Sequence, residues 1–252
     1  MATRFDHERL NLSFQEDGFV VMKGFFDSPK VVEINQRIQR FIDEILPGLP
    51  DVAFYEDLSD ASTIMRLQGM ENHDPYFSEL YDHPDFAAVA KTFMQDDINP
   101  QTAQWFAKPA RVGNETPPHQ DGYYFKLNPN EAVTCWLALD QVDEENGCIR
   151  FVRGSHRRGM RPHQLSNVMG FSQGINDYGD NDRALEVPIL LEPGDVTAHH
   201  SMTIHRADPN HSERPRRALG FVFYAARAEK DLQQSEEQRR EVYQTWKREG
   251  KV

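Results

Sequence analysis

Cysteine is nearly missing from this chain. Of 252 residues only Cys135 and Cys148 are cysteines, and both sit in apolar, strand-like runs. This scarcity argues against a disulfide framework, and a reducing compartment is the more natural setting. Long hydrophobic runs are also lacking: no apolar stretch approaches the roughly 18 residues of a membrane span. The opening residues, Met1-Ala2-Thr3-Arg4-Phe5-Asp6, contain no apolar leader segment, so we expect a cytoplasmic protein. Positive charge is in short supply, with 28 Lys and Arg against 40 Asp and Glu, a formal net charge of -12 and a pI near 5.3. Such a balance argues against a surface for nucleic acid or anionic membrane. Internal repeats and a linker that would divide the chain are absent as well. The length suits one domain, residues 1–252, with a sizeable core.

What is present changes texture along the chain. Glu8–Asp17 reads as a helix stopped by Gly18, and Phe19-Val20-Val21-Met22 as a strand. Ser28-Pro29 has the form of a helix start, with Ser28 as N-cap, and an apolar stripe continues at helical spacing to Leu46. Short strands are expected at 52–55 and 63–67, then two proline-opened helices at 75–83 and 84–94. From about residue 100 the sequence becomes β-rich, with strands expected at 102–108, around His119, at 132–140, 148–152, 187–191, 196–200, 204–207 and 217–225. Asn146-Gly147 is a strong hairpin signal, with Cys148 to Val152 as the returning strand. A charged helix is expected at 231–248. Many short strands broken by turns suggest a mainly β fold with flanking helices, its core (about 100–227) a double-sheet jelly roll of the cupin kind.

The chemistry gathers at Pro118-His119-Gln120-Asp121. On an extended strand the side-chain period is two, so His119 and Asp121 share a face and Gln120 points away. An imidazole and a carboxylate together make two corners of a first-row metal site, and the two-His, one-carboxylate arrangement suits non-heme iron. His156, His163, His199, His200, His205 and His211 are candidates for the third corner. His205 stands out because Arg216 follows eleven residues later on the next strand. That return can set a planar guanidinium beside the metal, where it would hold the far carboxylate of a chelating 2-oxoacid.

Together these elements resemble the phytanoyl-CoA dioxygenase family of Fe(II)/2-oxoglutarate oxygenases, over roughly residues 15–227. The resemblance rests on Pro118-His119-Gln120-Asp121, Trp136, Glu145-Asn146-Gly147-Cys148, Gly154-Ser155-His156, Pro193-Gly194-Asp195, Ile204-His205 and Arg216. It implies a double-stranded β-helix in which His119, Asp121 and His205 bind Fe(2+), and Arg216 holds the distal carboxylate of 2-oxoglutarate. Trp136 is implied to line the cosubstrate pocket, and Arg66 and Gln104 fall near positions that contact 2-oxoglutarate. Where the family often has a polar residue two after the distal histidine, this chain has Ala207. The implied reaction uses O2 and 2-oxoglutarate to hydroxylate or otherwise oxidise an unactivated C–H bond of a small-molecule substrate, releasing succinate and CO2. Halogenating relatives carry a small residue where Asp121 stands, so hydroxylation is the expected outcome.

Tyr123, Tyr124 and Phe125 could line the substrate pocket, and the loop with Met169, Phe171, Asn176 and Tyr178 could form a lid. Arg153, Arg157, Arg158 and Arg161 make a local basic patch that could hold an anionic substrate group. Two other readings stay open: a zinc hydrolase, and a cupin-like protein that binds metal without turnover.

Overall fold

The structure is a computed structural model that describes residues 5–240 apart from 50–51, 56–59, 61–62, 112, 166–172, 235 and 238–239. Its strands in chain order are β1 (Phe19–Met22), β2 (Ala53–Tyr55), β3 (Ile64–Gln68), β4 (Ile98–Lys108), β5 (Thr116–His119), β6 (Leu127–Asn128), β7 (Ala132–Ala138) and β8 (Ile149–Val152). They continue as β9 (His163–Leu165), β10 (Gln173–Ile175), β11 (Glu186–Pro188), β12 (Val196–His200), β13 (His205–Ala207), β14 (Arg216–Ala225) and β15 (Glu229–Lys230). The helices are α1 (His7–Asp17), α2 (Ser28–Arg40), α3 (Pro75–Tyr81), α4 (Pro84–Met94), α5 (Gly122–Phe125) and α6 (Asp180–Arg183). None is long and apolar enough to cross a membrane.

A seven-stranded antiparallel sheet runs β1-β12-β7-β14-β4-β3-β2, and a four-stranded one runs β11-β8-β13-β5. The two stack as a jelly roll, as the sequence predicts. Between them Phe19, Trp136, Ala138 and Ala218 of the larger sheet pack on Ile149 and Phe151 of the smaller. The opposite face of the larger sheet offers Cys135, Leu137, Leu219 and Phe221 to Phe14 of α1, Ile34 and Ile38 of α2, and Phe86 and Phe93 of α4. Covered on both faces, β7 is buried at every position, which is why 132–138 reads as an unbroken run of strand formers. The alternation of one strand thus supplies two cores, and the inner one carries the polar residues of interest.

Several boundaries differ from expectation. The β core does not begin near residue 100, because β1, β2 and β3 all join the larger sheet. Asp27, not Ser28, caps α2 through the Lys30 amide at 3.0 Å, which places Ser28-Pro29 inside the first turn. The apolar stripe up to Leu46 leaves α geometry after Arg40, passing through a π-helical turn (Phe41–Ile45) and a 3-10 turn (Leu46–Gly48). Asn146-Gly147 does not close a hairpin: β7 and β8 lie in different sheets. The buried Asn146 amide instead donates to Gln141 O and accepts from the Asp143 amide, bending the chain across the sandwich. The expected helix at 231–248 falls mostly outside the described residues.

Pro193-Gly194-Asp195 sets the entry to β12. Asp195 is buried and accepts from the amides of Gly24 and Glu192 and from Lys23. Gly194 has φ +94°, and a Cβ there would sit 2.3 Å from the carbonyl oxygen of Phe26. Gly194→Ala must therefore disturb both the left-handed backbone and the α2 entry. We expect a loss of about 2 kcal/mol or more, read as a lower urea midpoint at unchanged slope. A midpoint equal to wild type would contradict this account of the turn.

Candidate metal centre

Strand β5 ends at His119, two residues short of what strand alternation requires. Asp121 has φ -55° and ψ -36°, in the right-handed helical region, and starts the α5 turn. His119 and Asp121 therefore meet by a strand-to-turn bend, not by sharing a strand face. Gln120 holds that bend. Fully buried, it donates to Gly159 O at 3.0 Å and Met202 O at 2.8 Å, and accepts from the Arg161 amide at 2.8 Å. Its own amide donates to His163 Nε2 at 3.2 Å. His205 arrives by register, directly opposite His119 on the β13–β5 ladder, with ring centroids 4.1 Å apart.

Nε2 of His119 lies 3.5 Å from Asp121 Oδ1, and Nε2 of His205 lies 3.7 Å from the same oxygen. All three candidate ligand atoms fall within 4.8 Å of one another. The Nδ1 atoms of His119 and His205 face the carbonyls of Pro117 (2.8 Å) and Thr203 (3.0 Å). A carbonyl can only accept, so each Nδ1 carries the proton and each Nε2 presents a lone pair. On the carboxylate, Oδ2 is occupied by Thr134 Oγ1 and His199 Nε2, both at 3.0 Å. Oδ1 is left to face the two imidazoles.

Burial and the neighbouring His119 hold the His205 pKa well below its ordinary value. Burial pushes the Asp121 carboxyl upward, but His205, His119 and His199 outweigh it and leave its pKa well below the usual carboxylate range. Two imidazole nitrogens and one carboxylate oxygen converge, a donor set that fits a divalent first-row metal with positions left open. His199, a histidine of the sequence that supports the centre without being a ligand, fastens Asp121 together with Thr134, which the sequence does not single out. Strand alternation around 134 and 199 was the available signal, since these two residues pair directly across β7 and β12.

The inner face of the larger sheet leads away from these residues. Thr134 is followed two positions on by Trp136, which pairs with Gly220, which pairs in turn with Gln104. Lacking a side chain at Gly220, β14 lets the Phe106 ring lie over it: a Cβ there would be 2.9 Å from that ring. Arg216 is only 5% exposed, and its guanidinium carbon lies 5.2 Å from the Trp136 ring. It donates to Gly147 O at 2.8 Å, its Nε has no partner, and burial lowers its pKa to about 10. Arg66, opposite Phe106 on β3, shares this face.

Among the remaining sequence candidates, His156 lies against Gln15 O, His163 stacks on Tyr123 at 4.1 Å, and His200 accepts from the Met202 amide. None of them joins the three ligand atoms, and exposed His211 does not either. In the basic patch, Arg153 is paired with Asp17 and Arg161 with Asp177 and Asp182. Met169 and Phe171 of the expected lid lie outside the described residues, and Tyr178 is bonded to Glu186. Gly154-Ser155-His156 is a support, since Ser155 Oγ accepts the Ile204 amide beside His205.

The sequence profile described as Phytanoyl-CoA dioxygenase (PhyH) matches residues 14–218. The mouse protein named phytanoyl-CoA dioxygenase, peroxisomal, is 25% identical over 227 residues, covering 83% of this chain and 66% of its own length. The chain thus spans just under two thirds of that relative. EvdO2 from Micromonospora carbonacea var. aurantiaca, solved in complex with 2-oxoglutarate, is 26% identical, with TM-score 0.72 over 92% of this chain and 95% of its own. The epimerase SnoN, solved with Fe3+, alpha ketoglutarate and nogalamycin RO, is 23% identical, with TM-score 0.72 over 88% of this chain and 84% of its own.

Thr134→Val keeps the side-chain shape and removes one of the two donors that fasten Asp121 Oδ2. We expect Mn(II) affinity, followed by the EPR signal of the free ion, to fall about tenfold. An unchanged affinity would show that His199 alone orients the carboxylate.

Proposed function

The chain belongs to the phytanoyl-CoA dioxygenase family, and on that footing we propose that it is an iron(II)- and 2-oxoglutarate-dependent oxygenase of a small organic molecule. His119, Asp121 and His205 hold the iron. Arg216 holds the distal carboxylate of 2-oxoglutarate, with Trp136 and Gln104 on the same inner face as the walls of its seat. When bound, iron and 2-oxoglutarate supply the oxidation of a C–H bond by O2, with release of succinate and CO2.

Arg216 carries this reading. A buried guanidinium without a carboxylate is costly unless a ligand provides one. Its one hydrogen bond among the described residues goes to Gly147 O, and its guanidinium carbon lies 5.2 Å from the Trp136 ring. Arg217, next in sequence, points to the other side and is already matched by Asp140 through two bonds, at 2.9 and 2.7 Å. A zinc hydrolase or a non-catalytic metal-binding cupin would leave the buried charge of Arg216 unexplained.

The protein's own residues then do three things. Pro117 and Thr203 keep the protons of His119 and His205 on Nδ1, away from the metal. Thr134 and His199 hold Asp121 to a single free oxygen, which leaves coordination positions for the chelating 2-oxoacid and O2. Trp136 covers the buried guanidinium, and exclusion of water there strengthens its hold on a carboxylate. We take hydroxylation as the outcome because Asp121 supplies a carboxylate where a halogenating site carries a small residue. The fold also hosts an epimerase, SnoN, so product analysis has to separate the two.

Arg216→Gln keeps much of the shape and removes the charge. We expect the KM for 2-oxoglutarate, measured as succinate released, to rise about tenfold or more. A KM within twofold of wild type would remove Arg216 from the cosubstrate site.

A further inference from the structure

The inner face holds a second arginine without an anion. Arg66 is half-buried, its Nε is buried with no hydrogen-bond partner, and its guanidinium carbon lies 4.2 Å from the Phe54 ring. Among the described residues no carboxylate pairs with it, whereas the comparably placed Arg150, Arg161, Arg206 and Arg217 each have at least one. Burial draws its pKa below the ordinary guanidinium value, and the one group that opposes this is Tyr124.

The sheet order separates Arg66 from the cosubstrate seat. Asp121 is fastened from β12 and β7, and Arg216 leans toward Trp136 on β7. Arg66 lies on β3 and leans the other way, toward Phe54 on β2. Arg216 stands on β14, two strand spacings from β3, about 10 Å. The carboxylate carbons of 2-oxoglutarate are only about 5 Å apart, four bonds in an extended chain. One end of it is taken by the metal and the other by Arg216, so none of it is left for Arg66. Tyr124 borders the metal centre: its ring is 6.1 Å from that of His119, and its hydroxyl donates to Gln173 O at 2.6 Å.

We propose that Arg66 anchors an oxyanion, carboxylate or phosphate, of the substrate that is oxidised. The carbon skeleton runs from there past Phe106 and Tyr124 to the metal. This assignment rests on the oxygenase reading above, and it moves Arg66 from the cosubstrate, where the resemblance puts it, to the substrate.

The test is calorimetry without oxygen, on protein loaded with Fe(II) and 2-oxoglutarate. Phenylacetate and phenyl phosphate are the probes, with phenylacetamide as the neutral control. We expect one or both anions to bind and the amide to bind about tenfold more weakly or not at all. The favoured anion shows which oxyanion the site takes. Arg66→Gln is expected to weaken that anion about tenfold or more, Arg66→Lys to retain part of the affinity, and neither to move the 2-oxoglutarate Kd by more than about twofold. An intact 2-oxoglutarate Kd in Arg66→Gln also shows that the variant is folded. If Arg66→Gln weakens 2-oxoglutarate as Arg216→Gln does, Arg66 belongs to the cosubstrate and the assignment is overturned. It is equally overturned if neither anion binds, or if anion and amide bind alike. Failure of 2-oxoglutarate itself to bind wild type is a separate result, one that sinks the oxygenase reading.

Discussion

Everything in the centre depends on how one buried carboxylate is held. Asp121 lies among three imidazoles, and an ionised group in such a place persists only if its hydrogen bonds are complete. Thr134 and His199 complete them on one oxygen, from adjacent strands of the larger sheet. The other oxygen is thereby aimed at His119 and His205, which come from the smaller sheet. The candidate metal site is a seam between two sheets, so the packing of the sandwich and the geometry of the three side chains are one constraint.

That constraint explains the turn residues. Gln120 spends its whole side chain on three backbone groups, because the chain must leave β5 and bend within two residues. Gly194 and Asp195 launch β12, the strand that carries His199. Asn146 and Gly147 carry the chain from one sheet to the other, and Gly147 at the same time offers its carbonyl to Arg216. A Cβ on Gly147 would lie 2.3 Å from Asp208 O, so the crossing leaves no room for a side chain. Positions that read as loop punctuation are the joints that set the distance between the His-Asp-His cluster and Arg216.

Much of this was legible in the sequence, and the reasons are specific. The strand runs at 132–140 and 217–225 are rich in buried strand formers because helices and the second sheet cover their two faces, so their composition marks them as strands. His119, Asp121, His205 and Arg216 could be named because their order and spacing match a family pattern. Local reasoning failed where the outcome was tertiary. Strand alternation gave a correct pairing of His119 with Asp121 for an incorrect reason, since Asp121 is helical. Asn146-Gly147 is a hairpin dipeptide by propensity, yet side-chain bonds from Asn146 turn it into a crossover. The roles of Thr134 and His199 needed the strand register, and the separation of Arg66 from Arg216 needed the sheet order, neither of which a linear pattern contains.

The central claim is that three lone pairs and one unmatched arginine make a seat for a metal and a chelating 2-oxoacid. The most direct measurement is an anaerobic titration of metal-free protein with Fe(II) and then 2-oxoglutarate, followed by visible absorption, with His119→Ala alongside. The account requires a charge-transfer band in wild type that grows with 2-oxoglutarate to one equivalent and is lost in His119→Ala. Tight metal binding without that band would contradict it and leave a metal-binding jelly roll of another kind.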